Sequence, residues 1–412
     1  MRVYKFGGAS LSSPGNFHKV REIISSASDY QLVVVVSAIG KTTNALERIF
    51  EAIRENNLPK DLINELKQFH VGFTKELITS PEKTIHEITG VFRNITGTIN
   101  FEGNPDALYD LIVSQGEILS SVLVHQYLSQ HISHCSWLDA RKMVIADDQH
   151  REANINWAAT EVKIADALNE REGIFITQGF IGSTITGKTV TLGRDGSDFS
   201  AAIFASCMKA ESVTIWKDVP GVMNADPKRI ADALVFPELP FKEAAEMTYY
   251  GASVIHPKTI KPLANLGIPL FVKSFEDPSL PGTLIHDCRV DQLPPLVVFK
   301  ENQCLISCKG TDYTFITEHQ LSDIFRIISA SGVRINVMQN SAISFSFCID
   351  YRESKIHGLI ERLSRNFEVY YNTGLTLITI KNYTTEIVEQ YRNRPGVLLE
   401  QSSRSTLQIL VR

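Results

Sequence analysis

Five consecutive residues, Leu32-Val33-Val34-Val35-Val36, constrain the fold of this chain most. All five are apolar and four are β-branched. The run is too short for a helix buried on every side, so it reads as a strand covered on both faces. Strands of that kind lie at the centre of parallel sheets, and parallel neighbours need a crossover helix between them. The preceding sequence supplies both parts. Val3-Tyr4-Lys5-Phe6 reads as a strand, and Phe17, Val20, Ile23, Ile24 and Ala27 recur at helical spacing, predicting a helix over 14–28. The chain therefore opens with a βαβ unit.

Between that first strand and helix lies Lys5-Phe6-Gly7-Gly8-Ala9-Ser10. Gly7-Gly8 ends the strand, Ser13 reads as the N-cap of the helix and Pro14 as its first residue. A strand, a double glycine and a helix together turn backbone N–H groups toward an anion. Lys5 adds a point charge able to follow a phosphoryl group. Taken alone, the same residues also describe an ordinary strand-to-helix turn.

Alternation continues downstream. Segment 45–130 is helix-rich, with stripes at Leu46, Ile49, Phe50 and Ile53 and at Ile118, Leu119, Val122, Leu123 and Tyr127. Strands are predicted at 136–138 and 173–177, a hairpin at 183–192, a helix at 197–209 and a strand at 213–216. A helix around 241–250 and a strand near 268–273 follow. This order predicts an α/β fold, a mostly parallel sheet with helices on both faces. Turn residues thicken from Asp277-Pro278 to Pro294-Pro295, and the pattern then changes. A hairpin at 296–308, helices at 318–331, 352–364 and 384–393, and strands at 333–338, 342–350, 367–371, 374–381, 397–400 and 407–411 read as a pair of small α+β sandwiches.

Composition narrows the partners. A formal net charge of −5 with 21% charged residues is mildly acidic, which argues against nucleic acid or an anionic membrane as the main partner. The first residues lack the apolar core of a signal peptide, and no apolar run approaches the ~18 residues of a membrane span. Six scattered cysteines without a C-x-x-C pair read as buried thiols in a reducing, cytoplasmic setting.

Four further clusters carry chemistry. Ser37-Ala38-Ile39-Gly40-Lys41-Thr42-Thr43-Asn44 leaves the carboxyl end of the central strand, where open α/β sheets bind ligands; Thr43-Asn44 also reads as a helix cap. It is not a P-loop, because Val35 stands where the first glycine would be. Ser114-Gln115-Gly116-Glu117 sets an acid beside a glycine, fit to hold an ammonium group or to face solvent. Leu192-Gly193-Arg194-Asp195-Gly196-Ser197-Asp198 opens a helix with a carboxylate clamp in Arg194, a hydroxyl in Ser197 and an acid in Asp198 that can orient a lysine or a metal. Trp216-Lys217-Asp218-Val219-Pro220-Gly221 and Asp226-Pro227-Lys228 suit a nucleotide over a sheet edge, with Asp218 toward sugar or base and Lys228 toward phosphate; they also suit a plain charged loop.

In order along the chain, Lys5-Phe6-Gly7-Gly8-x-Ser10, Ser37-Ala38 with Thr43-Asn44, Gly116-Glu117, Gly193-Arg194-x-Gly196-Ser197-Asp198, Trp216-x-Asp218-Val219 with Gly221 and Asp226-Pro227, and Gly251-Ala252-x-Val254-Ile255-His256-Pro257 resemble the aspartokinases of the amino acid kinase superfamily. The resemblance runs from residue 1 to about 286, and residues 287–412 are similar to that family's tandem ACT regulatory units, the last one reading as truncated. It implies a three-layer αβα catalytic domain over 1–286, followed by ferredoxin-like units over 287–412. It implies transfer of the γ-phosphoryl group of MgATP to the β-carboxylate of L-aspartate, a step toward lysine, threonine and methionine, with Mg2+ carried by the nucleotide. By motif, Lys5, Gly7, Gly8, Ser10 and Asp198 would serve the transferring phosphate. Ser37, Thr43, Glu117, Arg194 and Ser197 would hold aspartate. Lys5, Lys217, Asp218, Met223, Lys228, Ser253 and Val254 fall where the family holds nucleotide. A homodimer through the ACT units, and lysine or threonine as effector, are also implied.

The chain departs from that pattern at four places. Ala9 replaces a hydroxyl residue, Lys217 a threonine, Met223 an aromatic and Ser253 a lysine, so Lys217 or Lys258 is expected to compensate in binding ATP. Ser341-Ala342-Ile343-Ser344 replaces the usual effector-site sequence. Two other readings remain open at this stage: a catalytically impaired amino acid sensor on a kinase fold, and another kinase of the superfamily. A fused homoserine dehydrogenase is not expected, since no dinucleotide fold follows residue 412.

Overall fold

The computed structural model describes residues 1–27, 31–169, 171–252, 255–311 and 315–412, and these divide into two compact units. Residues 223–234 and 246–252 group with the C-terminal residues from Val290 onward, so the division is discontinuous where the sequence reading expects one cut after residue 286.

In the first unit, β1 (Arg2–Phe6), α1 (Pro14–Ser25) and β2 (Leu32–Val36) form the expected βαβ. Four helices follow, α2 (Thr42–Arg54), α3 (Lys60–Leu77), α4 (Glu82–Gly97) and α5 (Pro105–Val113), and then α6 (Gln115–Ser129). Next come β3 (Cys135–Leu138), β4 (Ile145–Ala146), α7 (Trp157–Leu168) and β5 (Ile174–Gln178). The hairpin β6 (Ile181–Thr184) and β7 (Thr189–Thr191) precedes α8 (Gly196–Cys207) and β8 (Ser212–Lys217). The unit closes with β9 (Glu238–Pro240), the start of α9 (Phe241–Tyr250), α10 (Pro257–Leu266), β10 (Leu270–Ser274) and β11 (Thr283–His286).

The main sheet runs β3-β5-β2-β1-β8-β10-β11-β9, parallel except where β11 meets β10. All five residues of β2 are buried, as its composition demands. Register fixes the two faces. Phe6, Val36 and Gln178 are aligned across β1, β2 and β5, and Gln178 bonds Ser121 on α6 at 2.7 Å. Lys5, Val35 and Thr177, one residue back, face the other way, where Lys5 meets Asp198 on α8. Helices therefore cover both faces.

Two expectations need correction here. The nearly contiguous α5 and α6 do contain an apolar window long enough to cross a membrane, with 78% of it buried in the unit; it is a core helix stretch, shielded by protein. Of the six free cysteines, Cys304, Cys308 and Cys348 are buried, while Cys135, Cys207 and Cys288 are only half-buried.

The second unit holds β12 (Leu296–Lys309), α11 (Glu318–Ala330), β13 (Ile335–Asn340), β14 (Ser344–Asp350), α12 (Glu353–Leu363), β15 (Glu368–Lys381), α13 (Thr385–Arg392), β16 (Val397–Ser402) and β17 (Thr406–Val411). The expected pair of separate sandwiches is one antiparallel sheet, β13-β14-β12-β15-β17-β16, with two helix-covered cores and a third buried cluster built from strand residues such as Leu305, Cys348, Leu377 and Leu410. One core joins Ile306 and Phe347 to Ile324 and Leu359; the other joins Ile378 and Ile409 to Val388 and Tyr391. β12 and β15 each cross both. Asn302 (φ +56°) and Gly374 (φ +70°) absorb the bend as irregularities inside continuous strands, where the sequence reads as a hairpin and a strand break.

Close backbone contact ties this scaffold to the helix bearing Asp198. A Cβ added at Gly179 would lie 2.6 Å from Ser197 Cβ and 2.7 Å from its Cα. Gly179→Ala is expected to cost about 1–3 kcal/mol by overpacking. Urea denaturation checks this, and an unchanged midpoint would contradict the close approach.

Candidate active site

Candidate residues gather where adjacent strands end. Gly7-Gly8 follows β1, Ser37-Ala38 follows β2, Gly179-Phe180 follows β5, and Asp218 follows β8. In the sheet, β2 and β5 lie to one side of β1 and β8 to the other. The chain thus reverses its direction of sheet building at β1/β8. Such a switch point leaves a crevice between outward-diverging connections, beyond the carboxyl ends of the strands.

The β1 turn is tight for identifiable reasons. A Cβ at Gly8 would stand 2.6 Å from the Ala38 carbonyl oxygen, and Gly40 N–H donates to the Gly8 carbonyl at 3.1 Å. Residues Ala9–Leu11 form one 3-10 turn, and only then does α1 begin, with Ser13 Oγ accepting from Asn16 N–H at 3.3 Å. Among the described residues, the N–H groups of Gly8, Ala9 and Ser10 donate to no main-chain carbonyl. Donors left open at such a turn are able to hold an anion. Ser10 itself is buried in the turn.

Beneath the turn, the Lys5 Nζ lies 2.7 Å from Asp198 Oδ1, and a Cβ at Gly7 would be 3.4 Å from that same Nζ. Lys217 Nζ lies 3.2 Å from Asp198 Oδ2. Burial by itself would raise the Asp198 carboxyl, but the Lys5 and Lys217 charges outweigh it and hold the group below its ordinary value. Asp198 also sits in the first turn of α8, where the helix dipole favours an anion.

Glu117, in the first turn of α6, is buried, contrary to its solvent-facing alternative. Burial pushes its carboxyl up to about 8, against the opposing influence of the Glu117 and Ala38 N–H groups and the Lys5 charge. Its Oε2 is without a hydrogen-bond partner among the described residues. A buried acid of this kind regains its charge when an ammonium group arrives beside it. Gly116 makes the placement possible, since a Cβ there would be 3.0 Å from Ala38 Cβ.

The remaining candidates are more loosely placed. Ser37 and Thr43 are half-buried, and Thr43 lies inside α2, whose N-cap is Lys41, so Thr43-Asn44 is not the cap. Ser197 is buried in the first turn of α8; the N-cap is Asp195 at φ +53°, with no side-chain capping bond. The Arg194 guanidinium is solvent-exposed, 3.6 Å from the adjacent Asp195 carboxylate. Asp218 is exposed at the end of β8. Met223 (half-buried) and Lys228 (exposed, its N–H bonded to Asp226 Oδ1 at 2.9 Å) belong to the second unit. Ser253 and Val254 lie outside the described residues.

The sequence reading missed three features. Phe180, after β5, holds φ +69°, an unusual strain for an aromatic residue, with its N–H bonded to Ser200 Oγ at 2.9 Å and its ring against Gly196. Its position directly after a predicted strand and a glycine was the available signal. Buried His70 is lowered to about 4 by desolvation and is therefore neutral. Its Nδ1 donates to the Leu66 carbonyl, leaving Nε2 to accept from the Thr42 hydroxyl and anchor the start of α2. Asp110 receives Thr191 Oγ1 at 2.6 Å and His150 Nδ1 at 2.7 Å, fixing the strand that leads into Gly193.

The centre does not fit a protein-held divalent cation, because both oxygens of its one ion-paired carboxylate face ammonium groups. Elsewhere, at the β9/β11 edge, donor atoms of Glu238, His286 and Cys288 lie within 4.8 Å of one another.

Comparison with known proteins accords with this geometry. The amino acid kinase family model matches residues 1–274. The chain is 32% identical over 394 residues to lysine-sensitive aspartokinase 3 of Escherichia coli, covering 92% of this chain and 86% of that protein. It is 28% identical to a bifunctional aspartokinase/homoserine dehydrogenase of Buchnera aphidicola, spanning 47% of that longer protein. The crystal structure of E. coli aspartokinase III with aspartate and ADP, in its R-state, matches at 29% identity with a TM-score of 0.86, covering 100% of this chain and 96% of that one. The T-state complex of the same enzyme with lysine and aspartate gives 0.78 at 27% identity, with the same coverage.

Glu117 has a pH signature. Between its ordinary value of 4.5 and about 8, the folded chain keeps a proton that the unfolded chain has released, so rising pH favours unfolding across that window. Glu117→Gln removes this slope. The denaturation midpoint of the unsubstituted chain is expected to fall relative to Glu117→Gln from pH 5 to pH 8; parallel profiles would contradict the assignment.

Proposed function

The chain belongs to the amino acid kinase family, and from that premise we propose that it is an aspartate kinase, transferring the γ-phosphoryl group of MgATP to the β-carboxylate of L-aspartate. The observation that carries this reading is the buried Asp198 carboxylate gripped by Lys5 and Lys217 at the switch point of the sheet, beside the donor turn at Gly7-Gly8.

The chemistry asks little of a protein base. An aspartate β-carboxylate oxygen attacks the γ-phosphorus, the bond from that phosphorus to the bridging oxygen breaks, and the bridging oxygen's electron pair leaves with ADP. The nucleophile is already ionised, so no proton need move. Positioning and charge neutralisation remain, and these match the residues present. Lys5 and the N–H groups of Gly8, Ala9 and Ser10 would hold the transferring group, with Gly7 giving it room to approach. Asp198 would aim the lysines. Glu117 would take the substrate ammonium and Ser37, Thr43 and Ser197 its polar edges. Arg194 would have to swing inward from solvent to meet the α-carboxylate. Asp218, Met223, Lys228, Ser253 and Val254 are proposed for the nucleoside side, and Mg2+ would arrive on the nucleotide phosphates. A sensor without catalysis has less support, since it gives Lys5 and Lys217 no phosphate to hold.

Further parts of the reading rest on kinship and composition. Three cysteine thiols, at 304, 308 and 348, are pushed by burial to about 11, 12 and 12, which supports inert reduced thiols in a cytoplasmic enzyme. The lysine-sensitive relative supports lysine as effector, and the second unit's exposed residues Met338 and Ile343 support a homodimer through that unit.

Two measurements check these points. Trapping the acyl phosphate with hydroxylamine should show turnover dependent on both ATP and aspartate, reduced about 10²–10³-fold in Lys5→Ala; equal turnover would remove Lys5 from the mechanism. Titrating lysine and threonine singly and together, alongside sedimentation, should show a lysine-inhibited dimer. A monomer, or indifference to lysine, would contradict that part.

A further inference from the structure

Another cluster of reactive side chains lies at the β9 edge of the main sheet, separated from β8 by β10 and β11. β9 is only three residues long and, among the described residues, pairs with β11 alone. The two strands are parallel, with Leu284 opposite Glu238 and His286 opposite Pro240. Side chains alternate along a strand, so His286, two residues beyond Leu284, leaves the sheet on the same face as Glu238. Cys288 follows two residues later. One donor atom from each of Glu238, His286 and Cys288 lies within 4.8 Å of the other two, and all three residues belong to the first unit.

These distances fit a bound ion. His286 Nε2 stands 3.2 Å from Glu238 Oε2. Two ligand atoms about 2.0 Å from one tetrahedral zinc are about 3.3 Å apart, so the nitrogen and the oxygen already have the required spacing. A triangle with no side above 4.8 Å has a point about 2.8 Å or less from every corner, and small side-chain rotations shorten that to the ~2.0–2.3 Å of zinc bonds. Glu238 and His286, with side-chain exposures of 49% and 30%, have room for such rotations, and an ion can reach them from solvent.

Donor chemistry then selects the ion. A carboxylate and an imidazole alone make an exposed ion pair of little worth. The half-buried thiol adds nothing to such a pair, but it completes a sulfur, nitrogen and oxygen set that suits zinc, whereas magnesium and calcium take oxygen ligands. We propose that Glu238, His286 and Cys288 form a zinc site, with water as the fourth ligand. As the zinc–sulfur bond forms, the thiol proton leaves to solvent, and thiolate and carboxylate together balance the ion's two charges. Bound there, zinc ties the end of β11 to the short edge strand and fixes the chain just before Arg289, the last residue of the first unit. The site is distinct from the crevice at β1 and β8 and does not depend on the aspartate kinase reading.

Cobalt(II) added to the reduced, chelator-treated full chain tests this, because a cobalt–thiolate bond gives a charge-transfer absorption. One equivalent should produce that band, and zinc should abolish it while excess Mg2+ does not. Cys288→Ser should lose the band; Cys135→Ser and Cys207→Ser, at the other half-buried cysteines, should keep it. Loss of an outer-shell partner of a metal ligand costs about 10–100-fold in affinity, and loss of the ligand itself costs no less. His286→Ala and Glu238→Gln should therefore each weaken zinc at least about tenfold in competition with a chromophoric chelator. Zinc should also raise the thermal midpoint of the unsubstituted chain and leave that of Cys288→Ser where it was. No cobalt band, a band that survives Cys288→Ser or yields to Mg2+, or zinc binding undiminished in either His286→Ala or Glu238→Gln would overturn the three-residue site.

Discussion

A single buried carboxylate organises this molecule's chemistry. Asp198 sits in the first turn of α8 with Lys5 on one oxygen and Lys217 on the other. The three residues come from three different elements, and each is needed for the others' placement. Without Asp198, two ammonium groups would be confined together; without the lysines, a carboxylate would be buried alone. The cluster is tolerable only because β1, β2 and β8 hold their carboxyl ends level and α8 packs across them.

The glycines around it follow from the same constraint. Gly8 lets the β1 turn touch the Ala38-Gly40 backbone, Gly116 lets α6 bring Glu117 against Ala38, and Gly179 lets the β5 end touch Ser197. Side chains at these points would push apart the strand ends that form the crevice. Sheet order, helix placement and backbone contact thus converge on one small region, which is how positioning and electrostatics can do the work of catalysis without a protein nucleophile.

Much of this was legible in the sequence, and the exceptions have physical causes. Leu32–Val36 announced a central parallel strand because apolarity on both faces leaves few other fates. Lys5, Gly7-Gly8 and Asp198 stood out because glycines beside charged residues are costly unless backbone must approach a ligand. Glu117 remained ambiguous because local spacing does not tell whether α6 turns that face inward. The left-handed backbone at Asp195, which caps the helix bearing Asp198, has no local sequence signal, since a non-glycine residue stands there. Asp110 with His150, and Thr42 with His70, join residues 40 and 28 positions apart, a separation that periodicity does not reach. In the second unit, β12 and β15 stay continuous through irregularities that look like turns when read locally.

The central claim is that the crevice at β1 and β8 receives a polyphosphate between two lysines aimed by Asp198. A crystal structure with a non-hydrolysable ATP analogue, Mg2+ and aspartate tests it most directly. The account predicts both Nζ atoms within roughly 3 Å of phosphate oxygens. Phosphates bound elsewhere, with both lysines still turned to Asp198 alone, would contradict it.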